Sequence, residues 1–156
     1  MKMIAAVAAN WGIGRDNKLL FSLPTDMKFF RRMTLDKTVI VGRNTLLSFP
    51  GGKPLPKRRT ILLSSTLAPE GVEVFKTVEE AAAAAGDEAF VIGGEKVYRA
   101  FMPLCDTAYV TYVKASPAAD AFFPDLDSDP QWELAEESEP VVENGLEFTF
   151  RTYRRL

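Results

Sequence analysis

The chain predicts an α/β protein: a three-layer α/β/α arrangement around a mostly parallel, twisted central sheet of about eight strands, with an antiparallel hairpin at its C-terminal end. Three observations carry this. Short apolar runs such as Thr38 to Val41 and Ala89 to Ile92 alternate with segments of helical period, the pattern of a parallel sheet covered by helices. The helical segments carry start and stop residues: Pro24 at a first-turn position, Thr77 and Glu80 at capping-box spacing, and Gly86 to close the alanine run. Near the end, Asn144-Gly145 before alternating Leu146, Phe148 and Phe150 is a hairpin signal.

The elements follow in order. The apolar stretch from Met3 to Ala9 runs into Asn10-Trp11-Gly12 and reads as a buried first strand. A loop leads to a helix over Pro24 to Met33, then a strand over Thr38 to Val41, a short helix over Asn44 to Phe49, and a Pro/Gly loop through Pro56. Strands over Thr60 to Ser64 and Val72 to Phe75 precede the helix over Val78 to Ala85, whose alanines indicate close helix packing. A strand over Ala89 to Ile92, a helix over Lys96 to Met102 and a strand over Tyr109 to Val113 complete the alternating part. With 156 residues, no linker and no internal repeat, one domain spanning 1–156 is expected.

Composition narrows the chemistry. There is no histidine and one cysteine, Cys105, so intrachain disulfides, His-based nucleophilic dyads and most zinc, haem and iron–sulfur ligand sets are excluded, and no metal site is expected. An acid–base group must then be Asp, Glu, Lys or Tyr. The net charge of −2 is uneven: residues 1–115 hold 16 Lys/Arg against 11 Asp/Glu, whereas residues 116–156 hold 3 against 10. The first part suits a small anionic ligand; nucleic acid is not expected, because the basic residues are scattered instead of forming an aromatic-interleaved stripe. No segment reaches the roughly 18–20 apolar residues of a membrane span, and a cytoplasmic protein without a membrane partner is expected.

Asp26 is the residue that most needs an explanation. At about 100° per residue, Leu23, Met27, Phe30 and Met33 bracket one helix face and Lys28, Arg31 and Arg32 the other, and Asp26 falls with the apolar group. It is either a first-turn acid that complements the helix dipole, or a buried carboxylate whose partner is a ligand. Three strand ends offer phosphate-binding chemistry: Gly42-Arg43-Asn44-Thr45, Ser64-Ser65-Thr66, and Gly93-Gly94 opening a helix with Glu95 and Lys96. Each also reads as turn or cap residues; jointly they suggest an extended nucleotide cofactor with an extra phosphate for Arg43 and Lys96.

The ordered set Ile13-Gly14, Asn17, Leu23-Pro24, Asp26, Phe30, Val41-Gly42-Arg43, Pro54-Leu55-Pro56, Arg58, Ser64-Ser65, Ile92-Gly93-Gly94, Tyr98, Thr111 and Phe123-Pro124 resembles the bacterial dihydrofolate reductases across nearly the whole chain. The resemblance implies NADPH-dependent reduction of 7,8-dihydrofolate to tetrahydrofolate, in tetrahydrofolate biosynthesis and one-carbon metabolism, with hydride transfer to C6 and protonation at N5. It implies that Asp26 is the family's single acidic catalytic residue, pairing with the pterin 2-amino group and N3 and supported by the Thr111 hydroxyl, and it leaves open whether Asp26 delivers the proton or polarises the ring while water delivers it. It gives Ile4, Ala5, Met27, Phe30, Ser48, Phe49, Leu55 and Ile92 to the substrate pocket and Arg58 to the α-carboxylate of the glutamate tail. Ala6, Ile13 and Tyr98 would lie near the nicotinamide; Gly93 and Gly94, joined by a cis bond, would meet the pyrophosphate; Arg43, Ser64, Ser65 and Lys96 would surround the 2'-phosphate. Gly14, Leu19, Gly42, Asn44, Thr45, Leu63, Glu95 and Val97 complete the implied cofactor contacts, and Asn10 to Leu23 would form a mobile loop. Antifolate inhibitors and a monomeric state are implied as well.

The chain departs from the family's commonest pattern at Leu20-Phe21, where proline and tryptophan are frequent, in the Pro50-Gly51-Gly52-Lys53 stretch, and at Glu95, where some members have glycine. A related reductase acting on another pterin or a riboflavin precursor, and a non-catalytic folate- or nucleotide-binding module, are the competing readings.

Overall fold

The computed structural model describes residues 1–66 and 69–156. Their elements are β1 (Lys2–Ala8), β2 (Gly12–Arg15), β3 (Lys18–Leu19), α1 (Pro24–Thr34), β4 (Thr38–Gly42), α2 (Arg43–Ser48), β5 (Arg59–Leu63), β6 (Glu73–Phe75), α3 (Val78–Ala85), β7 (Phe90–Gly93), α4 (Glu95–Phe101), β8 (Thr107–Val113), β9 (Ala121–Phe122), β10 (Trp132–Glu137), β11 (Val141–Glu143) and β12 (Leu146–Arg155). The main sheet has the order β10-β12-β8-β1-β7-β4-β5-β6, with β11 also paired to β12. From β8 to β6 all neighbours are parallel, while β12 runs antiparallel to β8, β10 and β11.

The connections explain where the helices lie. The steps through α1 and α2 move one way across the sheet, and those through α3 and α4 return the other way, so right-handed crossovers put the two pairs on opposite faces. Packing agrees. Leu46 of α2 and Phe29, Phe30 and Met33 of α1 cover Val39, Val41, Leu62, Phe90 and Ile92. On the opposite face, Ala81 of α3 and Val97, Tyr98 and Phe101 of α4 pack with Met3, Val7, Ile40, Ile61 and Val91. Because β7 is inserted between β1 and β4, the carboxyl ends of the strands part around a crevice, the position where open α/β sheets bind ligands.

Local signals are realised in detail. Thr77 caps α3: its hydroxyl accepts the Glu80 N–H at 3.2 Å and donates to the Glu80 carboxylate at 3.0 Å, the pairing that their capping-box spacing allows. Asn144 and Gly145 both hold positive φ (53° and 74°), as a two-residue hairpin turn requires. Cys105 is a packing residue: its thiol is buried in the core and burial pushes its pKa up to about 12.

Two segments differ from expectation. The stretch expected as a loop contains the β2–β3 hairpin, which pairs with β9 in a separate three-stranded sheet. Its strands are too short for a hydrophobic period to register, although Asp16-Asn17, at φ 51° and 60°, carries the chemistry of a left-handed turn. The strand β10 is the other: its sequence WELAEE shows no alternation because only Trp132 is buried, the rest forming a charged edge that discourages further pairing.

Candidate active site

Asp26 sits in the first turn of α1, facing the sheet. Its Oδ1 accepts a hydrogen bond from the Thr111 hydroxyl at 2.6 Å. Thr111 is buried on β8, in register with Ala6 of the adjacent β1, so the carboxylate stands over the strands at the crevice. Burial pushes the Asp26 pKa above the usual carboxylate range; the Thr111 hydrogen bond pulls it down, and the charge of Glu143 adds a smaller push upward. The first-turn acid is therefore inward-facing and half-buried.

Thr111→Val, close to isosteric, tests this arrangement. Losing the hydroxyl removes the one interaction that favours the charged form, so the folded-state pKa rises further. A raised carboxylate pKa contributes stability that is present at low pH and lost as pH rises through the folded value. The variant is expected to lose about 2 kcal/mol at neutral pH, with the deficit shrinking toward pH 4, as read by thermal unfolding at both pH values.

A cavity of about 350 Å³ opens beside Asp26, lined by Ala6, Ile13, Leu19, Leu20, Phe21, Ser22, Leu23 and Met27. Ile4, Phe30, Phe49, Leu55 and Ile92 gather in one apolar cluster on the α1 side of the sheet. Met27 is 61% exposed and Leu19 81% exposed, two large apolar side chains at the mouth of the crevice. Two residues of the implied substrate set are engaged elsewhere. The Ala5 side chain points to the opposite face, where it packs against the α3/α4 core, so only its backbone faces the crevice. The Ser48 hydroxyl donates to the Thr45 carbonyl at 2.6 Å within its own helix.

Arg58 lies at the far end of α1. Its Nε donates to the Thr34 hydroxyl at 3.2 Å and its Nη1 to the Pro56 carbonyl at 2.8 Å, while Thr34 donates to the Phe30 carbonyl at 2.8 Å. These contacts orient the guanidinium and leave Nη2 without a hydrogen bond among the described residues. Partial burial and the neighbouring charge of Arg31 lower the Arg58 pKa, and Asp36 opposes this weakly. The surroundings are short of negative charge and suit an anion.

The strand-end residues come together on the other side of β7. A Cβ on Gly42 would lie 2.8 Å from Val97 Cγ2, and one on Gly94 would lie 3.0 Å from Thr45 Oγ1, so the β4–α2 and β7–α4 turns are in direct contact. The Gly93–Gly94 peptide is cis. Neither Gly42 nor Gly94 caps its helix with a side chain, leaving main-chain amides at the turns. Exposed Arg43 and Lys96 have no salt bridge among the described residues, and Asn44 and Ser65 are polar residues at the same edge; Leu63 ends β5, where the Ser64 N–H donates to the Phe75 carbonyl at 3.0 Å. The Tyr98 ring is buried on Phe123, its hydroxyl donates to the Ile4 carbonyl at 2.7 Å, and burial raises its pKa, so it stays protonated. Ile13 and Gly14 belong to β2, which closes over the cavity through its pairing with β9.

Glu95 behaves differently from its neighbours. Its Oε1 accepts the Phe122 N–H of β9 at 2.7 Å and its Oε2 lies 3.4 Å from Arg99 Nε, so the carboxylate is drawn away from the turn. The sequence also left Thr34 and Glu143 unmarked. Thr34 reads as an ordinary helix-end residue, and Glu143, 118 positions from the Thr25 it touches, offers no local signal.

Fold and site together define a class: an α/β enzyme with an acidic residue on one wall of a crevice at the carboxyl ends of its strands and an anion-suited glycine turn on the other. The comparisons with known proteins are specific. The family model described as dihydrofolate reductase matches residues 1–155. The dihydrofolate reductase of Neisseria gonorrhoeae is 40% identical over 156 residues, covering 97% of this chain and 95% of that protein. That of Bacillus subtilis (strain 168) is 31% identical over 161 residues, covering 99% and 94%. Among solved structures, dihydrofolate reductase from Enterococcus faecalis complexed with NADP(H) and RAB-propyl superposes with a TM-score of 0.87 at 36% identity, covering 99% of this chain and 95% of that one. The chain belongs to the dihydrofolate reductase family.

Proposed function

We propose that this chain, acting as one domain over 1–156, reduces 7,8-dihydrofolate to 5,6,7,8-tetrahydrofolate with NADPH, for tetrahydrofolate biosynthesis and one-carbon metabolism. The observation that carries the reading is Asp26: an inward-facing carboxylate, hydrogen-bonded by Thr111, beside a largely apolar cavity.

The residues at the strand ends fit the cofactor. The close approach of the two turns at Gly42 and Gly94, which a Cβ would disturb, brings main-chain amides together at the strand ends, where a pyrophosphate would bind. Arg43, Lys96, Ser64 and Ser65 supply the donor chemistry for a 2'-phosphate, and NADH is expected to be the poorer cofactor by roughly 10-fold or more, about 1.4 kcal/mol. Ala6, Ile13 and Tyr98 would line the nicotinamide side. When bound, the cofactor supplies the hydride for C6.

The protein's own residues do the rest. Asp26 Oδ2 remains available, since Oδ1 is occupied by Thr111, and would pair with the pterin N3 and 2-amino group. Ile4, Met27, Phe30, Phe49, Leu55 and Ile92 would hold the rings and exclude water, and Arg58 would take the tail carboxylate with its oriented guanidinium. Asp26 is the ionisable group on that wall, so protonation at N5 depends on it. Antifolates would occupy the same crevice. The reading carries a monomeric, cytoplasmic protein as its setting.

Loss of NADPH absorbance with dihydrofolate, monitored on purified folded protein, is the test. Absence of turnover overturns the proposal. Oxidation of NADPH with a tail-less pterin or riboflavin precursor but not with dihydrofolate would move the protein to another reductase; the orientation of Arg58 by Thr34 speaks for a tailed substrate.

A further inference from the structure

The helix that carries Asp26 begins without a cap of its own. Leu23 occupies the N-cap position and makes no side-chain hydrogen bond, and Pro24 at the next position has no N–H. Thr25 is thus the first residue of α1 with a free amide. That amide donates to Glu143 Oε1 at 2.9 Å, and the Thr25 hydroxyl donates to Glu143 Oε2 at 2.5 Å. Both oxygens of a carboxylate from β11, on the far edge of the sheet, are spent on the residue immediately before Asp26. The next residue of the hairpin, Asn144, donates to the Ser22 carbonyl at 3.1 Å, so the same turn also holds the chain entering the helix.

We propose that Glu143 is a positioning residue for Asp26: it caps α1 from across the sheet, fixes the turn from which Asp26 projects, and adds a second negative charge beside it. The proposal rests on the reading of Asp26 as the acid of the site. Hydrogen bonds to the N-terminal amides of a helix by a carboxylate are stabilising, and a carboxylate there also complements the dipole. Placed next to another carboxylate it disfavours that neighbour's ionisation. Glu143 itself stays charged, because the two Thr25 hydrogen bonds and then the charge of Lys28 hold its pKa below the usual range. The groups that bear on Asp26 are Thr111 from β8, Glu143 from the hairpin, and Tyr98 from α4, which remains neutral; Lys28 of α1 bears on Glu143. Glu143 thereby makes Asp26 keep its proton to higher pH than burial alone would.

Two variants separate the cap from the charge. Glu143→Gln keeps an acceptor for the Thr25 amide and loses the charge; Glu143→Ala loses both. The direct readout is the titration of Asp26 itself, followed by the carbon NMR signal of its carboxyl group in the ligand-free protein. In Glu143→Gln the midpoint is expected to fall by roughly a few tenths of a pH unit, the size of an interaction between a partly buried and a solvent-facing charge, with little change in Tm. The high-pH limb of the hydride-transfer rate shifts the same way. In Glu143→Ala the midpoint falls as well, Tm drops by roughly 2–4 °C, and hydrogen exchange at the Thr25 amide accelerates. An unchanged Asp26 midpoint in Glu143→Gln overturns the electrostatic role, and unchanged Thr25 exchange in Glu143→Ala overturns the cap. A shifted midpoint in a protein whose Asp26→Asn variant is fully active would instead uphold the positioning and overturn the catalytic reading of Asp26.

Discussion

Asp26→Asn is expected to leave a folded protein whose turnover with dihydrofolate at neutral pH is lower by at least about 100-fold, the range that a positioned acid contributes. The amide keeps the shape of the carboxylate and can still accept the Thr111 hydrogen bond seen at 2.6 Å, so the site's geometry has no reason to collapse. What disappears is the one ionisable side chain that lines the cavity among the described residues. Part of the activity returns at acid pH, where solvent protonates the pterin without help. The same substitution has a thermodynamic signature of opposite sign. Because burial raises the Asp26 pKa, ionised Asp26 opposes folding at neutral pH, and the cost fades as pH falls below the folded value. Asp26→Asn is therefore expected to raise Tm at neutral pH by roughly 2–4 °C, for about 1 kcal/mol, and to lose that advantage in acid. A stabilised and inactive variant marks a charge retained for chemistry. Full activity at neutral pH would remove Asp26 from the mechanism.

The second large effect is expected at Arg58. Arg58→Leu removes a guanidinium whose Nε and Nη1 are already held by Thr34 and Pro56, and with it the anion site proposed at the end of α1. A charge-assisted bidentate contact of about 2–3 kcal/mol corresponds to a rise in KM for dihydrofolate of roughly 30- to 150-fold, with kcat changed far less. Arg58→Lys should recover only part, because an ammonium cannot match both carboxylate oxygens while also donating to Thr34. A tail-less pterin provides the control: its kinetics should not distinguish the variants from the parent. Equal losses with tailed and tail-less substrates would show that Arg58 holds the fold of α1 and not the substrate.

Much of the architecture follows from local physics, and those parts are legible in the sequence. The strand–helix alternation, the capping box at Thr77 and Glu80, and the Asn144-Gly145 turn are each governed by residues within a few positions of one another. The small sheet of β2, β3 and β9 and the edge strand β10 are not: β2 and β3 pair locally but are too short for a hydrophobic period to register, while β9 and β10 owe their conformation to partners more than 100 and some 20 positions away. The burial of the Asp26 face was legible as a helical period, yet that period set Met27 with the apolar group, where the structure leaves it mostly exposed at the mouth of the crevice.

The amino-acid sequence by itself determined the fold class, the exclusion of histidine chemistry, the acidic residue that most needed a partner and the strand ends able to meet a phosphate, since each depends on residue type and short-range spacing. Only the tertiary structure decided which of these share a site and in what electrostatic setting. Thr111 reaches Asp26 across 85 positions and Glu143 reaches Thr25 across 118. Glu95, adjacent to the glycine turn, spends its carboxylate on Phe122 instead. A carboxylate's charge state and a side chain's availability are set by what surrounds them in space, through desolvation and hydrogen bonding, and those surroundings exist only once the sheet has brought distant strands together.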